Sequence, residues 1–221
     1  MNKTINLPNI LPVFPLSNFI FFPKTTVPLN IFEKRYLEMI NDSMSSNRII
    51  GMIQPKEQNK QNPSLHKTSF VARGAQIIGN VTLEKDSSIW YNSVLRADIN
   101  KIRIGKRTNI QDNSVIHLEN DQGVKVGNDV TVGHNVILHG CSIDDGVLIG
   151  MGAIVMNGVR IGKGSVIGAG SVIKQNMNIP KYSLVVGVPA KMIKTLDEKT
   201  YKQNVKWAKK YVQLANIHRK L

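Results

Sequence analysis

The chain has 221 residues, 42% of them hydrophobic, which is enough apolar side chain for a sizeable core and excludes disorder throughout. Its single cysteine, Cys141, excludes an intrachain disulfide framework and suits a reducing compartment. Of the net charge of +14, half falls on residues 190–221, which fits a solvated lysine-rich helix face better than a nucleic-acid groove, so no nucleic-acid partner is expected.

The first quarter, residues 1–67, opens with LPNILPVFPLSNFIFFP, in which prolines 8, 12, 15 and 23 break the apolar run. That pattern suits neither a signal peptide nor a membrane span, and a cytoplasmic protein without a membrane partner is expected. Residues 12 to 53 read as strand, loop, helix (about 30–45) and strand (48–53). The stretches LPVFPLSNFIFFPKTTVPLNIFEKRYLEMINDS and RIIGMIQP resemble the start of the N-terminal substrate-recognition domain of Lon-type ATP-dependent proteases. The resemblance implies a partial, small α+β segment. It ends in the polar, linker-like QPKEQNKQNPSLHKTS, and neither a P-loop nor a protease dyad region follows, so proteolysis is not implied. Two readings stay open: the segment caps the first coil of the repeat that begins at residue 68, as solenoid ends require, or it is a recombined piece.

From residue 68 to 189 a six-residue beat takes over. Val71, Ile77, Leu83, Ile89 and Leu95 are spaced by six; Ile104, Ile110 and Ile116 resume after three extra residues, and Val126, Val132 and Leu138 after a longer insertion. One residue is then dropped, and the beat runs from Ile143 to Ile179. A period of six suits short strands joined by tight corners, each sending one aliphatic side chain inward; three segments make a triangular coil, and coils stack at ~4.8 Å. The expected fold is mainly β, a left-handed parallel β-helix of hexapeptide repeats with six coils. Residues 190–221 read as a C-terminal amphipathic α-helix. Thr195 and Glu198 have capping-box spacing, and Tyr201, Val205, Ala208, Val212 and Ala215 form one apolar stripe.

Histidines concentrate inside the beat. Leu95, Ile116 and Leu138 fall on the same wall of successive coils, so Arg96, His117 and His139, one residue later, should point outward in a row. Two imidazoles one coil apart can reach one metal ion. His134 follows Val132 on another wall and faces elsewhere, which predicts a shared site: His117 and His139 from one subunit, His134 from its neighbour in a threefold assembly. Histidines that merely hydrogen-bond across such an interface are the plainer alternative. His66 and His218 lie outside the repeat. Cys141 reads as a small buried side chain, and Trp90 and Trp207 as packing residues.

The stretches SSIWYNSVLRAD (87–98), RTNIQDNSVIH (107–117), VTVGHNVILHGC (130–141), LIGMGAIVMNG (148–158) and VVGVPAKMI (185–193) resemble the γ-class carbonic anhydrase family over about residues 70–215. The resemblance implies a homotrimeric, zinc-dependent lyase (Fe2+ or Co2+ in some members), in which metal-bound hydroxide hydrates carbon dioxide reversibly to bicarbonate. His117, His134 and His139 would be its ligands. Arg96 and Asp98 would brace the subunit boundary, Gln111 would bond the bound solvent or substrate, and Asn109 and Asp112 complete the family's Asn-x-Gln-Asp. The sequence departs from the pattern at Ile99, acidic in the best-characterised members, and at Glu119, one residue closer to His117 than their shuttle glutamate. Low activity is therefore expected. The alternatives are a hexapeptide acyltransferase or thioesterase acting on coenzyme A thioesters, and a non-catalytic trimeric scaffold.

Overall fold

The computed structural model describes residues 13–15, 34–45, 51–53 and 62–220, in two units, Met1–Asn59 and Lys60–Leu221. In the first, strands Val13–Pro15 and Gly51–Ile53 pair in parallel, and helix α1 spans Lys34–Ser45.

The second unit is a parallel β-solenoid whose interior is the six-residue beat. Every position of the beat from Leu83 to Ile179 is at most 1% exposed. The cause is geometric: a coil of three short strands encloses room for one inward side chain per strand, and an aliphatic chain fills it without an unpaired polar atom. The first wall stacks Leu65, Leu83, Ile104, Val126, Ile143, Ile161 and Ile179 in register. The second stacks Val71, Ile89, Ile110, Val132, Ile149, Ile167 and Val185. The third stacks Ile77, Leu95, Ile116, Leu138, Val155 and Ile173. Leu65 and Val185 extend the expected eighteen positions, so six coils are complete and a seventh is begun. His66, expected outside the repeat, consequently lies in the first coil, where Nδ1 meets the Thr68 hydroxyl at 3.0 Å.

Corners carry the left-handed residues, and they explain the spread of Asn, Asp and Gly through the repeat. Asn113 (φ 60°) and Asn135 (φ 55°) occupy the same corner in successive coils, a conformation that Asn tolerates better than most residues. Glycine directly after the inward residue has a separate reason. A Cβ on Gly133 would stand 2.8 Å from the Met151 backbone nitrogen of the next coil.

The C-terminal segment differs from the expected single helix. Ala190–Thr195 is a strand, antiparallel to Ser183–Gly187, and helix α2 spans Glu198–His218. Its N-cap is Asp197, whose carboxylate accepts from the Thr200 backbone N–H at 3.0 Å, so the Thr195 capping box does not form. Helix α2 lies along the second wall. Asn204 donates to the Gly146 carbonyl at 2.9 Å, Ala208 and Ala215 are buried, and Arg219 donates to the carbonyls of Thr68 and Ser69. Trp90, 4% exposed, packs edge-on against Tyr211 and His218 and beside Phe70, as its packing role predicts. Trp207 does not pack as expected: it is 41% exposed with the Lys210 ammonium 5.1 Å over its ring, because it is turned about 80° around α2 from the buried line of Asn204 and Ala208. No helix among the described residues is long and apolar enough to cross a membrane.

Candidate metal centre

The third wall brings His117 and His139 together. They are register partners on adjacent strands Val115–His117 and Ile137–His139, with ring centroids 5.1 Å apart. Arg96 follows Leu95, the register partner of Ile116, and so occupies the same row one coil earlier. Asp98, at the end of that row, accepts from Arg96 at one oxygen and stands 3.2 Å from His117 Nε2 at the other. Burial pushes the Asp98 carboxyl up, but hydrogen bonds from its own backbone N–H, His117 and Arg96, together with the guanidinium charge, outweigh it and hold the group below the ordinary carboxylate value.

Hydrogen-bond direction can be read from these partners. A carboxylate only accepts, so Asp98 takes the proton of His117 Nε2. Asn157 donates its Nδ2 to Glu119 Oε1 at 2.9 Å, which turns its Oδ1 toward His139 Nδ1 at 2.6 Å and makes that nitrogen a donor. The two remaining nitrogens, His117 Nδ1 and His139 Nε2, then face each other as lone pairs at 3.0 Å. Two acceptors at hydrogen-bond distance are satisfied by a shared proton or by a metal ion, and two nitrogens on one tetrahedral zinc at ~2.0–2.1 Å each would stand only slightly farther apart. The donor set therefore fits a metal ion.

The remaining predicted residues gather elsewhere. Strand Asn109–Ile110 lies on the second wall beneath α2, with Asn109 and Gln111 both buried. Gln111 Nε2 donates to Asn109 Oδ1 at 3.1 Å, and Asn109 Nδ2 donates to the Thr131 hydroxyl at 3.0 Å. Burial, with the nearby Asp112 charge, raises the Tyr211 phenol of α2 above the ordinary value, and the neighbouring Gln111 side chain opposes the shift. Asp112 and His134 sit at the corner after that wall, His134 Nδ1 lying 2.7 Å from Asp112 Oδ2. Within one chain, then, Asp112 pairs with His134 and not with Arg96. The His134 ring is partly exposed. Among the described residues no group of three or more His, Cys, Asp or Glu converges on one point; His117 and His139 stand on one face and His134 on another.

Sequence reasoning missed Asn157 and the role of Glu119 beside it. Asn157 stands 18 residues after His139, one place beyond the register position Met156, so the spacing of the repeat does not mark it. Cys141 is buried as expected, and burial pushes its thiol up to about 12.

Comparison with known proteins yields two family matches. The model of the ATP-dependent protease La (LON) substrate-binding domain matches residues 10–132, and that of the bacterial transferase hexapeptide (six repeats) matches residues 140–175. The first match runs beyond residue 63 into strands that pair as solenoid coils. An Arabidopsis thaliana protein, "Gamma carbonic anhydrase 2, mitochondrial", is 42% identical over 72% of this chain, which spans 59% of that relative's length. A Methanocaldococcus jannaschii protein named probable carbonic anhydrase is 48% identical over 68% of this chain and 95% of its own length. The crystal structure of a hexapeptide transferase family protein from Anaplasma phagocytophilum superposes with a TM-score of 0.67 at 39% identity, covering 70% of this chain and 91% of that one.

Proposed function

Because this chain belongs to the γ-class carbonic anhydrase family, with a match to the Lon substrate-binding family from its N-terminal part, we propose that it catalyses the reversible hydration of carbon dioxide at a zinc site closed between subunits of a homotrimer. The single observation that carries the reading is the approach of His117 Nδ1 to His139 Nε2, 3.0 Å apart, while other partners occupy the far nitrogen of each ring. His117 and His139 of one subunit and His134 of the next would hold the ion. Bound there, zinc supplies the Lewis acidity that makes water a nucleophile near neutral pH.

The residues around the pair have separable tasks. Asp98 orients His117 and is itself held by Arg96; Asp112 orients His134. Asn109 holds the Gln111 amide at the second wall, where α2 already buries it in a single chain. Two half-sites on different faces require a head-to-tail contact, and such contacts close into rings. Val115 (40% exposed) and Ile137 (42%) support the same contact, being aliphatic, uncovered in one chain and on the same strands as the two histidines.

Metal analysis of the purified protein, joined to stopped-flow carbon dioxide hydration, tests this. About one metal per subunit and hydration that falls to background in His117→Ala are expected. Metal without hydration would overturn the activity and leave the scaffold reading. Absence of bound metal would instead favour acyl transfer, the reading to which the likeness to a hexapeptide transferase family structure points.

A further inference from the structure

We infer that Asn157, clamped by Glu119, is the positioning residue that sets the tautomer of His139, and the inference rests on reading the third-wall histidines as a metal site. Neutral imidazole in water favours the proton on Nε2. At His139 that form would donate to His117 Nδ1 and leave no lone pair for a cation. Something must hold the proton on Nδ1.

The carboxylate of Glu119 cannot do this directly. Its Oε1 lies 3.9 Å from His139 Nδ1, beyond hydrogen-bond reach. Asn157 fills the interval, accepting from Nδ1 at 2.6 Å and donating to Glu119 at 2.9 Å. An amide alone could turn either end toward the ring; the carboxylate, which can only accept, removes that choice. Glu119 is in turn held by its own loop. Its backbone N–H donates to Gln122 O at 2.9 Å, and Asn100 Nδ2 donates to the carbonyls of Glu119 and Asn120 at 3.3 and 3.0 Å. The carboxylate fixes the amide, the amide fixes the ring, and the ring presents its lone pair to the partner nitrogen.

The arrangement at His117 is simpler, since Asp98 accepts from that ring directly. The two ligands therefore depend on different supports, one a carboxylate and one an amide with a carboxylate behind it. Groups that orient a metal-binding imidazole in this way typically change metal affinity by roughly 10–100-fold when removed.

The test uses the full-length protein with 15N-labelled histidine. Long-range 1H–15N spectra of the zinc-free protein report the tautomer, and competition with a chromophoric chelator reports zinc affinity. The wild type should show His139 protonated on Nδ1. Asn157→Ala should move the population toward Nε2–H and weaken zinc by roughly 10–100-fold. Asn157→Asp, which keeps an acceptor toward the ring, should retain Nδ1–H. Glu119→Gln, whose amide can donate as well as accept, lets Asn157 turn either end to the ring and should give a mixture of tautomers; unmixed Nδ1–H in Glu119→Gln would overturn the clamp. Persistence of Nδ1–H in Asn157→Ala, or zinc affinity within twofold of wild type there, would overturn the inference. A wild type that binds no zinc but changes tautomer in Asn157→Ala would preserve the positioning role and sink only the zinc reading.

Discussion

Single residues in this chain act through what their neighbours allow them to do. Asp98 and Asn157 each decide which nitrogen of a histidine carries a proton, and neither needs to touch a substrate. Cys141 stands two residues from His139 and could be mistaken for a ligand or nucleophile. Burial argues against both, because it penalises the thiolate and pushes the thiol up to about 12. Native protein at pH 8 should therefore leave Cys141 unmodified by a thiol reagent such as dithionitrobenzoate, while denatured protein should release one equivalent per chain; rapid labelling of the native state would contradict the burial. The pairing of His117 with His139 was readable from spacing alone, since Ile116 and Leu138 set their register. Asn157 was not. The corner after His139 drops a residue, so the row that runs through Arg96, His117 and His139 continues at Met156, and Asn157 falls one place beyond it.

At the level of elements, helix α2 is held by shape more than by its apolar stripe. Gly146 accepts from Asn204, and a Cβ there would run into the ring of Tyr201. Trp90 anchors the other end among Phe70, Tyr211 and His218. Trp90→Ala should lower unfolding free energy by about 3–5 kcal/mol, the usual range for removing a buried tryptophan, measured by urea denaturation. It should also open the C-terminal turns of α2 to limited proteolysis; a stable, uncut variant would show that α2 docks without this anchor. Amphipathic periodicity located the helix and its buried alanines. It could not place the start, because a strand pairing with Ser183–Gly187 claims residues 190–195 before Asp197 caps the first turn. That pairing is a long-range hydrogen-bond choice, and it leaves no local mark that separates it from a helix.

For the whole molecule, the solenoid sets the three repeat histidines on two faces of one chain, and under the proposed function each face is half of a site. The third wall offers His117 and His139; the corner after the second wall offers His134 with Asp112. Neither His117→Ala nor His134→Ala alone can then complete a three-histidine site in a homotrimer. Trimers reassembled from a mixture of the two should recover part of the zinc binding and hydration, because an intact third wall meets an intact His134 at some contacts. Recovery at zero would place all ligands within one subunit. The sequence by itself determined the coil, because a triangular interior accepts one aliphatic side chain per strand and the spacing of those residues is the register. It also determined that two imidazoles would stack. Only the tertiary structure decided which nitrogens those rings present, where α2 begins, and that Gln111 lies buried against Tyr211. Those outcomes depend on polar partners brought from distant coils and from the helix, and hydrogen-bond direction has no period in a sequence.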